Sequence, residues 1–415
     1  MPDRQTVALL ALASLLVVAP AGTATTAATA ETGADATAPT RISSCTTITE
    51  SGEYVLAADV ANATPTRPRT GLGGCIEIRA DDVLVRGGNH TVAAGPGGRP
   101  GVVGVLVRGP ESRSNVTVRN LTTTRWGAGA AVLGASGVTL RNVSAVNNLG
   151  DGFFVENAPD LRIRGGAVRG SNTGIFLRRS PNASLAGLSV ADNLAGVSVR
   201  RSPDLSLRNL SVADHSQFGV ALFRSANATV TDSTFRDDGF AEIALARSSD
   251  ARLVGVSVAN SSGWEVYAAR NSSAVGERVR LGGTHLASFE AGDVALDANA
   301  DVPPIPLTDR QVVGQGLFVL PTDDEGTASR GSNGSHLSLT VGYDAAAVER
   351  ARTTEASLAL WRFDAGEGWT RVETTVGAGR NVASATVENP SRNGTVVALV
   401  GEGLAEAGNE SRADY

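Results

Sequence analysis

The chain contains no lysine, so all 36 of its basic residues are arginine. Aromatic residues make up only 4% of its 415 residues, and there are one methionine, four histidines and two cysteines. A formal net charge of −6 gives no electrostatic support to a nucleic-acid partner, which requires a basic surface. The few scattered sulfur and imidazole side chains also offer little for a site that binds a soft metal ion. We therefore expect neither a nucleic-acid partner nor a cofactor.

The chain also lacks an apolar run of the roughly 20 residues that a transmembrane helix needs. Its longest such run, at 7–19, is followed by small residues and by Ala28-Thr29-Ala30, a pattern typical of a signal peptide. We predict a signal peptide at 1–30 and a protein that is secreted or extracellular, or associated with the cell surface without a membrane anchor. Thirteen N-x-[ST] sequons make it a candidate glycoprotein.

The two cysteines, Cys45 and Cys75, form an isolated pair. In an exported chain such a pair predicts one disulfide, which would close a loop at the N-terminal end of the fold. A metal site with two thiolate ligands is the alternative.

A repeat dominates the middle of the chain. A unit of 22 or 23 residues recurs seven times, and such a short fixed period predicts a solenoid in which each unit packs on its neighbours. Apolar residues alternate within each unit as they do in β-strands, for example at Leu161 and Ile163 or at Leu205 and Leu207. Gly, Asn, Asp and Ser separate these runs and favour turns, so each unit is predicted to form one coil of a parallel β-helix. The units begin at Asn115, Gly137, Asp160, Asn182, Asp204, Asn227 and Asp250.

The pattern differs on either side of the repeats. The sequence predicts a linker at 31–42, the β-helix at 43–296 and a second, Pro-containing linker at 297–309. Alternating strands separated by turn clusters then predict a small antiparallel β-sandwich at 310–405, followed by a polar tail at 406–415. The predicted fold class is therefore all-β.

Stacking of the coils fixes the distance between equivalent residues, which lie about 4.8 Å apart in neighbouring coils. Acidic and amide residues recur ten and eleven residues after the start of the units, which we call the tenth and eleventh positions, and we call this set the turn strip. Its stacked carboxylates have a spacing compatible with the acid pair of a glycosidase or with a Ca²⁺ site. The alternative is a structural ladder, because Asn and Asp tolerate the left-handed backbone of turns. The candidate catalytic residues are Asp192, Asp214 and Asp237, and His215 and Asp238 join them as candidate binding residues.

A second set of equivalent residues is basic, and we call it the arginine row. Each member follows the second alternating run of its coil and precedes Ser or Asn. Guanidinium groups match carboxylates well, so an acidic polysaccharide is one candidate ligand. The alternative is that Asp204 and Asp250, three residues beyond a row position, neutralise the row locally. The row comprises Arg179, Arg201, Arg224, Arg247 and Arg270.

The repeat core, with its rhythm LRNLSVADN…GVSVRRSPD, resembles the NosD-type right-handed parallel β-helix family. That family lies within a wider group of carbohydrate-binding and sugar-hydrolysing β-helices. The segment SSCTTITESGEYVLAADV is similar to the start of such domains in archaeal exported proteins. The resemblance covers roughly 43–290 and implies a right-handed helix. It also implies a copper-related accessory role, which the lack of a His, Met and Cys cluster disfavours.

The sequence thus predicts an exported right-handed parallel β-helix followed by a small β-sandwich. The leading function is non-catalytic binding of a carbohydrate, or of another cell-surface component, along the face of the solenoid, with no resident metal. One alternative is a polysaccharide hydrolase or lyase that uses Asp192, Asp214 and Asp237. The other is a NosD-like copper-related accessory protein.

Overall fold

A computed structural model describes residues 38–64, 71–96, 100–109, 115–282, 284–306, 309–322 and 335–404. The predicted signal peptide and the predicted polar tail lie outside these residues. Strands make up nearly all of the regular structure in the described part of the chain, together with one short α-helix and two 3₁₀ turns. None of the described helices is long and apolar enough to cross a membrane.

Irregular coils begin the fold, and the disulfide is part of them. Cys45 and Cys75 are bonded to each other, which confirms the predicted pairing. Cys75 is fully buried in the hydrophobic core, so the bond fixes the first coil to the interior. The first strand lies within the segment 31–42 that was predicted as a linker. The strands of this region are β1 (Thr40–Ile42), β2 (Thr46–Ile48), β3 (Gly52–Leu56), β4 (Val60–Ala63), β5 (Gly73–Ile78), β6 (Val83–Ala94) and β7 (Val102–Arg108).

Regular coils follow, and each adds strands to two parallel sheets, which we call sheet A and sheet B. In sheet A, Ile163 aligns with Leu185, which aligns with Leu207 in the next coil, and all three are fully buried. The 22- to 23-residue period of the sequence is therefore one coil. The strands are β8 (Val116–Thr124), β9 (Ala128–Leu133), β10 (Thr139–Val146), β11 (Asp151–Glu156), β12 (Arg162–Arg164), β13 (Ala167–Arg169), β14 (Thr173–Arg178), β15 (Ser184–Ala186), β16 (Ser189–Ala191), β17 (Ala195–Arg200), β18 (Ser206–Arg208), β19 (Ser211–Ala213), β20 (Phe218–Phe223), β21 (Thr229–Thr231), β22 (Thr234–Arg236), β23 (Ala241–Ala246), β24 (Ala251–Val254), β25 (Ser257–Ala259) and β26 (Trp264–Ala269).

Left-handed residues form the corners between these strands. In the coil that begins at Asn182, four corners lie at Asn182, Gly187, Asp192 and Arg201, with φ values of 57°, 63°, 54° and 53°. Gly, Asn and Asp adopt this backbone at little cost, which explains why they recur at fixed offsets in the repeat. Arginine has no such preference, so the fourth corner is unusual.

Antiparallel strands complete the C-terminal part of the fold, in agreement with the predicted small β-sandwich. Their buried residues, such as Leu339 and Leu399, belong to the same hydrophobic core as those of the solenoid. The elements are β27 (Ser273–Leu281), β28 (Thr284–Gly292), β29 (Val294–Ala300), β30 (Arg310–Val312), β31 (Gly316–Pro321), β32 (His336–Gly342), α1 (Ala345–Arg350), β33 (Ala359–Asp364), β34 (Gly368–Arg371), β35 (Thr375–Gly377), β36 (Val382–Glu388) and β37 (Thr395–Glu402), with 3₁₀ turns at Glu355–Ser357 and Ala378–Arg380.

Both sheets continue from the solenoid into this C-terminal part. Sheet A runs from β27 through β28 to β32, and sheet B runs from β26 through β29 and β31 to β37. Strand β29 extends to Ala300 and so covers the first residues of the segment 297–309 that was predicted as a linker. The division into two domains stays a prediction.

The disulfide yields the first testable prediction. Cys45 and Cys75 are 30 residues apart, so their bond restricts the unfolded chain over a loop of that length. We expect the double variant Cys45→Ala, Cys75→Ala to lose about 2–4 kcal/mol of unfolding free energy, measured by chemical denaturation. The wild type under reducing conditions should behave like the variant. Identical denaturation midpoints for variant and oxidised wild type would contradict a stabilising role.

Candidate functional site

The turn-strip residues that lie ten residues after the start of their unit form left-handed corners. Asp192, Asp214 and Asp237 have φ values of 54°, 62° and 63°, and Asn147 occupies the same corner with a φ of 53°. The backbone N–H of Asp192 donates to the next coil, as does that of Asp214. Arg236 Nη2 lies 3.6 Å from Asp214 Oδ2, and Arg236 also pairs with Asp237. All three aspartates thus form left-handed corners of the backbone, and Arg236 contacts the carboxylates of two of them.

The residue that follows each of these corners faces the interior, since Asn148, Asn193, His215 and Asp238 are all buried. His215 and Asp238 are buried, so a ligand on the surface has no access to them. Asp238 Oδ1 lies 2.8 Å from the His215 backbone N–H and 2.7 Å from His215 Nδ1. Asn193 Nδ2 lies 3.3 Å from His215 Nε2. An imidazole that donates from Nδ1 and accepts at Nε2 fits both contacts, and the ring links three coils through the core.

A column of glycines in sheet B makes room for these interior side chains. A Cβ added at Gly219 would lie 2.4 Å from Asp238 Oδ2. In the next two coils, Glu242 and Glu265 occupy the same position and are fully buried. The other glycines of the column are Gly104, Gly129, Gly152, Gly174 and Gly196.

Burial perturbs both glutamic acids. It raises the pKa of Glu242 to about 9, and the neighbouring carboxyl group of Asp238 adds to the effect. It raises the pKa of Glu265 to about 7, although the Ala298 backbone N–H donates to Glu265 Oε2 at 3.0 Å and opposes the shift. Among the described residues, no N–H or O–H group donates to Asp238 Oδ2 or Glu242 Oε2. A proton held on Glu242 fits this arrangement at neutral pH.

The outer face of sheet B carries an open groove along the solenoid axis. Its floor is formed by Ser198, Ala221 and Ala244, which pair in register between Phe176 at one end and Tyr267 at the other. Three small side chains between two aromatic ones leave a depression three coils long. It has a cavity volume of about 570 Å³.

Aromatic and polar side chains line the groove above its floor. Phe240 is 46% exposed and meets Tyr267 edge to face, with ring centroids 5.1 Å apart. Gln217 and Phe223 also line the groove. The Arg200 guanidinium lies 5.7 Å from the centroid of the Phe176 ring. Exposed rings beside hydrogen-bonding groups suit a ligand that has both apolar faces and polar edges.

Every member of the arginine row sits at a left-handed corner. The φ values are 51°, 53°, 52°, 54° and 62° for Arg179, Arg201, Arg224, Arg247 and Arg270. This conformation costs a non-glycine residue on the order of 1 kcal/mol. All five side chains are exposed at the surface.

The ion pairs of the row differ along its length. Arg179 Nη1 lies 3.8 Å from Glu156 Oε1. Within the described part of the chain, no carboxylate lies within ion-pairing distance of Arg201, Arg224 or Arg247. Local neutralisation by Asp204 and Asp250 therefore has no ion pair to support it.

Buried serines support the corner of the arginine row from the interior of the coil. The Ser202 backbone N–H donates to Ser225 Oγ at 3.1 Å, and the Ser225 N–H donates to Ser248 Oγ at 3.0 Å. Each hydroxyl in turn donates within its own coil, as Ser202 Oγ does to the Arg200 carbonyl oxygen at 3.1 Å. The serine ladder fixes the backbone of the corner, and the arginine before each serine points outward.

The sequence analysis missed the groove residues. They lie between the inward-facing members of each alternating run, as the half-buried Ala221 lies between the buried Val220 and Leu222. A comparison of these middle positions from coil to coil would have shown small residues between Phe176 and Tyr267.

Comparisons with known proteins agree with this architecture. The model of a family described as "Right handed beta helix region" matches residues 103–272, so the solenoid is a right-handed parallel β-helix. No curated protein sequence matches the chain. The NosD-type and archaeal features of the resemblance stay predictions.

Several solved structures are similar to the chain at low identity. The periplasmic alginate epimerase AlgG has 12% identity and a TM-score of 0.40, over 55% of this chain and 68% of that one. The A-module of the Azotobacter vinelandii mannuronan C-5 epimerase AlgE6 has 15% identity and a TM-score of 0.38, over 48% and 71%. The Dettilon tailspike protein gp208 has 9% identity and a TM-score of 0.38, over 87% and 86%. These similarities concern the fold alone.

The corner role of the turn strip can be tested at Asp214. Asn occupies the same corner at Asn147 with a left-handed backbone, so Asp214→Asn keeps the turn and loses one exposed contact with Arg236. We expect the unfolding free energy to change by less than about 1 kcal/mol. Denaturation curves of variant and wild type would show it, with Asp214→Val as a control that disfavours the left-handed backbone. A large loss in Asp214→Asn would contradict the corner role.

The buried acids predict a pH dependence of stability. The folded state raises the pKa of Glu242 from 4.5 to about 9, so it holds this proton more tightly than the unfolded chain does. The resulting stability is complete below about pH 4.5 and is lost as the pH rises towards about 9. We expect Glu242→Gln to remove this loss, so that urea denaturation between pH 5 and 9 gives a flatter profile than that of the wild type.

The exposed Glu290→Gln variant is the matched control and should keep the slope of the wild type. Parallel profiles for wild type and Glu242→Gln would contradict the assignment of the proton to Glu242.

Proposed function

We propose that the protein binds a carbohydrate, without cleaving it, in the groove on the outer face of sheet B. The observation that carries the proposal is the floor of the groove, where Ser198, Ala221 and Ala244 lie between Phe176 and Tyr267. The two aromatic residues are four coils apart, so their backbone positions are about 19 Å from each other along the solenoid axis. The groove has the shape of a slot for a short stretch of a linear polymer.

The chemistry of the lining supports a sugar ligand. A pyranose ring has apolar C–H faces that pack on aromatic rings, and its edges carry hydroxyl groups. Phe223, Phe240 and Tyr267 supply rings, while Gln217 and Arg200 supply hydrogen-bonding groups. Binding sites of this kind are concave and largely apolar, with a few polar groups that orient the ligand.

The rigidity of the support also favours binding. The floor residues belong to strands that pair in register with their neighbours on both sides. Little conformational entropy is lost when a ligand settles on a surface that is already ordered. Binding energy is therefore not spent on ordering the site.

A binding role fits the groove better than a catalytic one. No carboxylate is among the described residues that line it, so it offers no general acid or base for hydrolysis or lysis. The turn-strip aspartates serve as corners, and Arg236 pairs with two of them. The proposal includes export of the protein, because polysaccharides of the cell surface lie outside the cell. The Cys45–Cys75 disulfide supports export, since such a bond persists in an oxidising compartment.

Blocking the floor tests the proposal. Ala221 faces outward and is half-buried, so Ala221→Trp should fill the depression without disturbing the core. We expect wild type to bind members of a glycan array and Ala221→Trp to lose at least about tenfold in affinity, equivalent to one well-packed aromatic contact or more.

Ser206→Trp places the same side chain on the outer face of sheet A and should leave binding unchanged. An array on which the wild type binds nothing would refute the proposal. So would release of reducing ends by the wild type that disappears in Asp214→Asn, because it would assign the function to a hydrolase at the turn strip.

A further inference from the structure

We infer that the ligand of the groove is a linear acidic polysaccharide, whose carboxylate groups lie against the arginine row. This inference rests on the proposed function and names the chemical class of its ligand. It follows from where the row lies, from the backbone that its residues adopt and from the ion pairs that they lack.

The row borders the groove. Arg201 directly follows Arg200, Arg224 follows Phe223 and Arg247 follows Ala246, and the three preceding residues all line the groove. The row positions therefore lie at the edge of the slot, one for each coil, and the Arg224 guanidinium lies 5.4 Å from the centroid of the Phe223 ring that lines it. Neighbouring row positions are separated by the strand spacing of about 4.8 Å.

The unpaired arginines coincide with the depression. The coils of Ser198, Ala221 and Ala244 are those that carry Arg201, Arg224 and Arg247. One coil earlier, the row position is Arg179, which already has Glu156 as an acidic neighbour. Three cations without acidic partners thus face the part of the groove that has room for a ligand.

The fold does not require arginine at this corner. In an earlier coil Asn157 occupies it with a φ of 50°, and in the coil before that Gly134 occupies it with a φ of 64°. Asn and Gly adopt this backbone more readily than Arg does. The arginines therefore occupy this corner against the local backbone preference, and residues held in such a conformation are often functional.

The stacked charges favour an anionic partner. Like charges on successive coils repel each other, and no carboxylate of the described chain intervenes between Arg201 and Arg247. A polymer with repeated carboxylates relieves this repulsion, and each guanidinium can bind a carboxylate through two parallel hydrogen bonds. A neutral glycan would fill the same groove and leave the repulsion in place.

The test compares acidic polymers with their neutral counterparts. The probes are polygalacturonate, alginate and hyaluronate, each with its carboxyl-reduced form, and binding to the full chain is measured by calorimetry. We expect the wild type to bind at least one acidic polymer about tenfold or more tightly than its reduced form, and the preference to shrink with added salt.

The variant Arg201→Asn, Arg224→Asn should lose about tenfold in affinity for the acidic polymer and little for the neutral one. Its melting temperature should not fall, because Asn fits the left-handed corner. Arg162→Gln, Arg208→Gln is the matched control, since it removes two exposed arginines from sheet A and should leave the affinity unchanged.

Other results would separate the two proposals. Equal affinity for acidic and reduced polymers, with no effect of the asparagine variant, would overturn this inference and leave the proposed function standing. Equal losses in the control variant, or binding of single-stranded DNA as tight as that of the acidic polymer, would also overturn it. Binding to none of the six polymers, while an array shows other neutral glycans bound, would overturn this inference alone; binding to no glycan would overturn both.

Discussion

Hydrogen bonds between successive parallel coils are the constraint on which the rest of this structure depends. They run along both sheets and also join the corners, where the Asp192 N–H donates to the Ala213 carbonyl oxygen and the Arg201 N–H donates to that of Phe223. Because backbone groups removed from water must be paired, every coil has to follow the path of its neighbour. This requirement places the left-handed residues at the same offsets in each coil and brings the inward side chains into register. Outward side chains are not bound by it, so the surface can vary while the path stays the same.

That difference explains which features could be predicted from the sequence. The corners and the buried residues are periodic because the hydrogen-bond ladder repeats, so Leu161, Ile163 and their equivalents were enough to predict the β-helix and one coil per unit. The disulfide could be predicted because only one pairing of two cysteines exists. The arginine row was also visible as a periodic set, but its left-handed backbone and its missing ion pairs appeared only in three dimensions.

The groove and the interior network could not be predicted in the same way. The floor of the groove depends on a local sequence of large, small and large residues from Phe176 to Tyr267, and such a sequence has no period. His215 and Asp238 were placed with the aspartates of the turn strip because they follow them in the chain. The left-handed corner sends adjacent residues to opposite sides of the coil, and spacing alone does not reveal which side is inside. The buried Glu242 was missed because a glutamic acid replaces the glycine of this column in only two coils, at Glu242 and Glu265, and two members are too few to stand out as a repeated polar pattern.

The floor of the groove has one consequence for how such a surface can change. The aromatic residues at its two ends, Phe176 and Tyr267, lie on different coils, and each coil between them is a separate unit of 22 or 23 residues. Gain or loss of one whole unit would move these two residues apart or together by one strand spacing, about 4.8 Å, and would keep the corner positions of the remaining coils. The number of coils between these two residues therefore sets the length of polymer that the groove can span. Duplication or deletion of units would change that length in steps of one coil.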